Sequence, residues 1–178
     1  MKCLGTTPVC SRRIYDFEDG TTQGHVLRTD IVGIGQSAVK NSTTRAHPPG
    51  THSLALPLFA AGGTIDIDIS ICGGADIPLP VAPRSISAWF FLDGPLVTTG
   101  TQNNFVAVGM WACNADFCTH AATLVSSPVP VGAWTQIVAP VPADLAAQYP
   151  NTLGYAFTGF LTPAGAGTTL YVDDIVWQ

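Results

Sequence analysis

Charged residues are scarce in this chain. Only 11% of its 178 residues are Asp, Glu, Lys or Arg, whereas about 25% is typical of soluble domains. The seven Lys and Arg residues are scattered and form no basic stripe, and the formal net charge is −5. A chain of this kind cannot neutralise many phosphates, so the composition argues against nucleic acid and an anionic membrane as partners.

Long apolar runs are also lacking. No run approaches the roughly 18 residues of a membrane span, and residues 1–12 have no apolar core of a secretory signal. No internal repeat or low-complexity linker divides the chain. We therefore expect one domain over residues 15–178, preceded by an N-terminal extension over residues 1–14. We expect it to be monomeric and large enough to bury a core without a metal.

Catalytic motifs are absent. The chain contains no GxSxG elbow, HExxH helix or P-loop, and its four histidines have no spacing that implies a shared site. His47 precedes two prolines, which predicts a solvent-exposed loop residue. A glycosidase needs two carboxyl groups about 5–10 Å apart across a cleft, but no pair of carboxylates is distinguished. A non-catalytic protein is favoured, with a small jelly-roll glycoside hydrolase or lyase as a weaker alternative.

Glycine and proline, by contrast, are plentiful, with 18 and 14 residues. They separate about nine short stretches that alternate in polarity or are rich in β-branched and aromatic residues. These stretches predict strands near 13–18, 30–40, 52–59, 63–71, 84–92, 104–112, 133–141, 153–161 and 168–177. Short strands with turn residues between them and almost no helical periodicity predict an all-β, two-sheet antiparallel sandwich with jelly-roll topology.

Cysteine spacing suggests where the protein is found. Cys3 and Cys10 flank one short turn-like segment, and Cys113 and Cys118 flank another. Such pairs are typical of disulfide staples, which need an oxidising compartment. Connectivity cannot be deduced from sequence, so five unrelated thiols remain an alternative. With staples, we expect a secreted protein whose signal has been removed.

Another feature bears on secretion. The segment Asn41-Ser42-Thr43 is a sequon that would accept an N-glycan in a eukaryotic secretory pathway.

Acidic residues lie close to both ends of the predicted domain. The segments YDFEDG at 15–20 and YVDDIVW at 171–177 place carboxylates inside strand-like runs of aromatic and β-branched residues. Strands are depleted in Asp, so adjacent aspartates need a reason. A cation that joins the first and last strands would provide one.

The order of these features resembles the calcium-bearing β-sandwich carbohydrate-binding modules, which are related in fold to the galactose-binding-like domains. The matching segments are FEDGTTQG at 17–24, THSLAL at 51–56, SISAWFFLDG at 85–94, VGAWTQIVAPV at 131–141, LGYAFTGF at 153–160 and TLYVDDIVW at 169–177. The sequence departs from the pattern after Gly24, where such modules often have Trp and this chain has His25. The resemblance implies a jelly-roll sandwich that binds a polysaccharide and is tethered to a catalytic domain of a larger secreted protein.

The resemblance also implies a structural calcium ion. Its ligands would be Glu18, Asp173 and the main chain around Thr51 and His52. Calcium prefers six to eight oxygen ligands at about 2.3–2.6 Å, which this set could supply in part. The alternative is that Glu18 and Asp173 are hydrogen-bonded residues at strand ends with no metal.

Sugar recognition needs an exposed flat apolar surface, on which the C–H faces of pyranose rings stack. Trp111 is the leading candidate, since Ala107 and Gly109 precede it on the same predicted face. Trp89 is a second candidate, although its strand can be interpreted with either face inward. Gln102, Asn104 and Asp116 are the candidate hydroxyl partners. Packing of Trp111 under a loop remains open, and so does an extracellular structural or adhesion sandwich without a sugar ligand.

Overall fold

The computed structural model describes residues 2–3, 13–27, 39–58, 65–66, 69–70, 84–95, 97–98, 101–102, 104–113, 118–144, 153–161 and 168–178. Within these ranges the strands are β1 Lys2–Cys3, β2 Arg13–Tyr15, β3 Val26–Leu27, β4 Lys40–Ser42, β5 Ser53–Leu58, β6 Ile65–Asp66, β7 Ile69–Ser70, β8 Ser85–Leu92, β9 Val97–Thr98, β10 Thr101–Gln102, β11 Phe105–Cys113, β12 Cys118–Pro128, β13 Thr135–Pro140, β14 Leu153–Leu161 and β15 Thr168–Trp177. No helix in the described ranges has the length and apolar character needed to cross a membrane.

The last strand, β15, is the centre of a seven-stranded antiparallel sheet. On one side it pairs with β8, which pairs in turn with β13. On the other side, residues 168–172 of β15 pair with β5 and residues 175–177 pair with β2. Strand β4 lies beyond β5, and β1 lies beyond β2. Ile175 is opposite Tyr15 and Trp177 is opposite Arg13, so the first and last long segments of the domain run side by side.

The neighbour of β15 changes at Asp173 and Asp174. Val172 is still opposite Leu54 in β5, whereas Ile175 is opposite Tyr15 in β2. On the other side, the register with β8 shifts between Asp173 and Val176. Asp174 has a φ of 46°, a left-handed conformation that Asp adopts more readily than β-branched residues do. The two adjacent aspartates therefore occupy an irregular point of the strand.

The second main sheet has four strands in the order β12-β11-β14-β6. Strand β11 pairs with β14 without interruption from Val106 to Ala112. Its register with β12 shifts twice, between Val108 and Gly109 and between Met110 and Trp111. At the end of this hairpin, Cys113 is the Cα partner of Cys118, while a Cys113–Cys118 disulfide stays a prediction. Residue 10 lies outside the described residues, so the Cys3–Cys10 staple also stays a prediction.

The hydrophobic core lies between the two sheets. Leu54 and Leu56 of the seven-stranded sheet belong to the same buried cluster as Val106 and Val108 of the four-stranded sheet. Trp177, the largest fully buried side chain among the described residues, is part of this cluster. The alternation along β8 follows from this arrangement, because Ile86, Ala88, Phe90 and Leu92 are all core residues. The predicted all-β antiparallel sandwich is confirmed.

The strand predictions differ from the structure in places. The eleven-residue strand β12 was not predicted, because its sequence CTHAATLVSSP has no regular alternation. Its two register shifts with β11 provide the physical reason. The predicted strand at 30–40 lies mostly outside the described residues, and the one at 63–71 is described only as the short strands β6 and β7.

Candidate functional site

The turn that follows β2 presents Glu18. Phe17 is fully buried and has a φ of 56°, and its carbonyl accepts a hydrogen bond from the Gly20 N–H at 3.0 Å. At the other end of the turn, the Asp19 carboxylate accepts bonds from the N–H and the hydroxyl of Thr21, at 2.9 and 2.8 Å. The buried Phe17 side chain anchors the turn in the core, while Glu18 and Asp19 remain at the surface.

The Glu18 carboxylate binds the segment that leads into β5. Its Oε1 accepts hydrogen bonds from the N–H groups of Thr51 at 2.8 Å and His52 at 2.9 Å. Its Oε2 accepts a bond from the Thr51 hydroxyl at 2.7 Å, and His52 Nδ1 lies 3.6 Å from the same oxygen. Burial alone would raise the pKa of Glu18, but these hydrogen bonds prevail and lower its pKa to about 2. The carboxylate is therefore ionised at neutral pH.

Asp173 lies on β15 beside this segment and is only 1% exposed. Its Oδ2 accepts a hydrogen bond from the His47 N–H, and its Oδ1 accepts one from the Asp174 N–H, both at 2.8 Å. Burial raises the pKa of Asp173 to about 7, and the negative charges of Asp174 and Glu18 add to the increase. No lysine or arginine of the described residues forms an ion pair with Asp173. The structure thus brings Glu18 and Asp173 into one electrostatic neighbourhood, which we call the acidic pole.

The oxygen atoms of the acidic pole can be compared with the ligands that a cation requires. Within the described residues, no group of three or more His, Cys, Asp or Glu side chains is arranged to hold a metal. A calcium ion here would therefore depend on Glu18 and Asp173 together with main-chain oxygens or water, which suits its preference for hard oxygen ligands. Thr51 and His52 reach Glu18 through their N–H groups. These bonds leave some carboxylate lone pairs of Glu18 and Asp173 available.

Gly50 makes the approach of Glu18 possible. A Cβ atom at this position would lie 2.8 Å from Glu18 Oε1 and 3.0 Å from the His47 carbonyl oxygen. Both distances are shorter than normal contacts, so any larger residue would displace the Glu18 carboxylate or the 47–50 turn. The Gly50 N–H also donates to the His47 carbonyl at 2.8 Å. The turn is therefore closely fitted to Glu18.

An aromatic cluster covers the outer face of the seven-stranded sheet next to the acidic pole. The His47 ring stacks on Trp89 with centroids 3.9 Å apart and meets Trp134 edge-on at 5.7 Å. Trp134 contacts Phe91 at 5.5 Å, and Phe91 contacts Tyr171 at 6.1 Å. The cluster is thus a chain of rings that pack mainly on one another.

His47 was predicted to be solvent-exposed, and this prediction is wrong. Its side chain is 19% exposed, and its Nδ1 donates to Asp174 Oδ2 at 2.9 Å. The local sequence HPPG predicts a turn but gives no information on whether the His47 side chain is buried. The contacts that bury His47 come from β8 and β15, which are far away in the sequence, so no local pattern could have identified them.

The candidate sugar-binding residues are not all close together. Trp89 lies on β8 and faces away from the four-stranded sheet, with one ring face covered by His47. Trp111 lies on β11 in the four-stranded sheet, opposite Gly154 and His120. Asn104 is half-buried just before β11, and Gln102 is opposite Val97 in the β9–β10 pair. Asp116 and the side chain of Trp111 lie outside the described residues.

His25, the departure from the expected Trp, is a core residue. It is 1% exposed, and its ring meets those of Tyr15 and Phe17 edge-on at 5.0 and 5.2 Å. Burial lowers the pKa of His25 to about 4, against the opposite effect of its hydrogen bond with the Thr22 carbonyl. The ring is therefore neutral at pH 7 and donates from Nδ1 to that carbonyl at 2.9 Å. The histidine at this position, where the module pattern has Trp, therefore packs in the interior of the domain.

Solved structures of β-sandwich proteins share the fold of this chain. No family model and no curated protein sequence matches the chain. The CBM22-2 xylan-binding domain from Paenibacillus barcinonensis Xyn10C aligns with 93% of this chain and 98% of its own, with a TM-score of 0.60 and 16% identity. The CBM27-1 module of Caldicellulosiruptor saccharolyticus, solved with mannohexaose, aligns with 93% and 95%, with a TM-score of 0.54 and 18% identity.

A third structure has this fold within a larger protein. It is the Clostridium thermocellum xylanase 10B, solved as its CBM22-1 and GH10 modules with xylohexaose. The alignment covers 92% of this chain but 27% of the xylanase chain, with a TM-score of 0.56 and 12% identity. These likenesses show that the chain has the fold of the β-sandwich carbohydrate-binding modules.

Proposed function

We propose that this protein is a secreted, non-catalytic module that binds a polysaccharide on the outer face of its four-stranded sheet. One observation carries the proposal, namely the register around Trp111. Residues at alternate positions of a strand share a face, so we assign Phe105, Ala107, Gly109 and Trp111 to the outer face. The burial of Val106 and Val108 on the opposite side supports this assignment.

The neighbouring strands contribute small residues to the same face. The positions opposite Ala107, Gly109 and Trp111 on β14 are Thr158, Ala156 and Gly154. On β12 the positions opposite Ala107 and Gly109 are Ser126 and Thr123. The position opposite Trp111 on β12 is His120, so the small residues lie on the β14 side of the indole, where a pyranose ring could stack on it. Stacking would provide affinity, and polar groups at the rim would provide specificity.

Affinity electrophoresis in gels that contain glucans, xylans, mannans or pectins tests this proposal. We expect retardation by at least one polymer and a loss of about 30-fold in affinity for Trp111→Ala, the size expected for a central aromatic anchor. Val138→Ala is the control, since Val138 is 54% exposed on the other sheet. A Trp111→Ala variant that melts much earlier than wild type would favour a structural or adhesion sandwich. No retardation by any polymer would contradict the proposal.

Enzymatic activity is tested with the same polymers. We infer that the module acts by holding a tethered catalytic domain near its substrate, which raises the effective concentration of that substrate. Its structural likeness to the CBM22-1 module of a xylanase supports this role. Release of reducing ends or unsaturated sugars by the isolated chain would instead indicate a hydrolase or lyase.

We further propose that the acidic pole binds a structural calcium ion through Glu18 and Asp173. The support is the proximity of two carboxylates, one of them buried, with no lysine or arginine of the described residues paired to Asp173. A ligand that binds only the folded state stabilises it by RT ln(1 + [L]/Kd). We therefore expect a chelator to lower the melting temperature and calcium to restore it. Identical melting curves would contradict the calcium proposal and leave the sugar proposal intact.

A further inference from the structure

Asn41 uses both hydrogens of its side-chain amide. Its Nδ2 donates to the carbonyl oxygen of Phe17 at 2.8 Å and to that of Thr21 at 2.9 Å. Asn41 is half-buried on the edge strand β4, where its Cα partner is Leu54. The two carbonyls lie at the beginning and the end of the turn that presents Glu18. A single amide therefore ties β4 to both ends of that turn.

The turn needs such a restraint because of its backbone conformation. Phe17 has a φ of 56°, and a left-handed conformation is unfavourable for a residue with a Cβ. Strained conformations persist only where the surrounding structure determines them. Here the buried Phe17 side chain holds one side of the peptide and the Asn41 amide holds its carbonyl. Together they fix the direction in which Glu18 leaves the turn toward Thr51.

The same asparagine begins the sequon Asn41-Ser42-Thr43. N-glycosylation replaces one hydrogen of Nδ2 with the C1 carbon of a sugar, so at most one of the two hydrogen bonds could survive. The glycan would also have to occupy the space between β4 and the 17–21 turn. The native arrangement of Asn41 and a glycan on Asn41 thus exclude each other.

We propose that Asn41 is the positioning residue of the Glu18 turn and that its sequon carries no glycan in the folded protein. The expected effect of Asn41 on calcium affinity rests on the proposed calcium site. Its effect on the conformation of the 17–21 turn does not depend on that proposal. The role predicts that loss of the amide loosens the contact between Glu18 and the 51–52 segment first.

Hydrogen exchange tests the positioning role without metal. Asn41→Asp keeps the shape of the side chain but removes both donors. We expect it to accelerate exchange of the Thr51 and His52 amides, which donate to Glu18. Thr43→Ala is the matched control, because it destroys the sequon and leaves Asn41 intact. Ile137→Ala, in the core, controls for general destabilisation. Equal protection of the two amides in Asn41→Asp and Ile137→Ala, at equal melting temperature, would overturn the proposal.

Calcium titration provides a second readout. We expect the calcium Kd to rise about tenfold in Asn41→Asp, the lower end of the effect of outer-shell substitutions, and to be unchanged in Thr43→Ala and Ile137→Ala. A wild-type affinity in Asn41→Asp would overturn the link to the ion. If wild type itself binds no calcium, the calcium proposal fails, and the exchange experiment alone decides the role of Asn41.

The glycan half of the proposal is tested by secretion from a eukaryotic host behind an added signal sequence. We expect folded, secreted wild type to have the mass of the unmodified chain and glycosylated molecules to be retained in the cell. Thr43→Ala should be secreted at an equal or higher yield. Secreted wild type that carries a glycan on Asn41 and melts like Thr43→Ala would overturn this half.

Discussion

The outer faces of the two sheets differ in how they use aromatic residues. On the seven-stranded sheet, the His47 ring packs on Trp89 and Trp134, and Trp134 packs on Phe91. On the four-stranded sheet, Trp111 is opposite Gly154 of β14 and His120 of β12, and the alternate positions Ala107 and Gly109 are opposite alanine, serine and threonine. The number of aromatic residues is therefore a poor guide to a binding face. An aromatic residue with small residues opposite it on a neighbouring strand is the better candidate, because small side chains leave room for a ligand.

The first prediction concerns the acidic pole, and its expected effect is the largest. Burial raises the pKa of Asp173 from its ordinary 3.8 to about 7, so the metal-free fold binds a proton between these values that the unfolded chain has already released. The contribution of Asp173 to the stability of the metal-free fold is therefore lost as the pH rises from about 4 to about 7, whereas His25, with a pKa lowered to about 4, contributes in the opposite direction. A cation bound to the ionised carboxylate would remove this loss.

We therefore expect the stabilisation by calcium to grow from almost nothing near pH 4 to its maximum above pH 7. At a hundredfold excess over Kd the maximum is about 2.7 kcal/mol. The measurement is the difference in melting temperature between calcium and chelator samples across this range. Effects of His25 cancel in this difference, and Glu18, with a pKa of about 2, stays ionised throughout. A difference that does not change with pH would show that Asp173 does not bind the ion.

The second prediction compares two glycines. Gly50→Ala should lower stability by about 1–3 kcal/mol, as overpacking does, because its Cβ would lie 2.8 Å from Glu18 Oε1. It should also weaken calcium binding. Gly132→Ala should cost about 1–2 kcal/mol through its φ of 81°, with no atom within 4 Å of the added Cβ, and should leave calcium binding unchanged. Calorimetric titration of both variants measures this, and equal calcium affinities would contradict the role of Gly50.

The third prediction compares two exposed hydrophobic residues, one on each sheet. Phe105 is 41% exposed and Val138 is 54% exposed. Phe105→Thr should reduce retention by the polysaccharide up to about tenfold, since an aromatic contact contributes about 0.5–1.5 kcal/mol. Val138→Thr should change neither retention nor melting, within about 0.5 kcal/mol. Retention lost in Val138→Thr and kept in Phe105→Thr would move the binding face to the seven-stranded sheet.

The sequence predicted those strands in which the apolar residues of the sequence occupy the positions that are buried in the structure. Strand β8 and the last strand β15 were located within one residue, because the core positions of β8 are spaced by two and β15 is a run of aromatic and β-branched residues. The meeting of Glu18 with Thr51 and Asp173 was expected from the resemblance of the two acidic segments to known modules. Strand β12 was missed, because its register shifts erase the period-two pattern on which strand prediction depends.

The parts of the site that the sequence did not reveal depend on long-range contacts. His47 was predicted to be exposed because a turn sequence contains no information about the rings above it. In the sequence, Asn41 is recognisable only as the first residue of a sequon, since the two carbonyls that it binds are about twenty residues away. The sequon is a local sequence pattern and is visible without a structure. The hydrogen-bond partners of Asn41 are determined only when β4 joins the sheet.

The pairing of Arg13 with Trp177 and of Tyr15 with Ile175 has a mechanical consequence. Arg13 and Trp177 lie opposite each other at one end of an antiparallel pair, so a force that pulls these two residues apart would open β2 from β15 one residue pair at a time. Unzipping meets less resistance than shearing, in which all bonds of a strand must break together. After three pairs the force would reach Glu18 and its bonds to Thr51 and His52. Together with the buried Phe17 side chain, these bonds of Glu18 would oppose further opening.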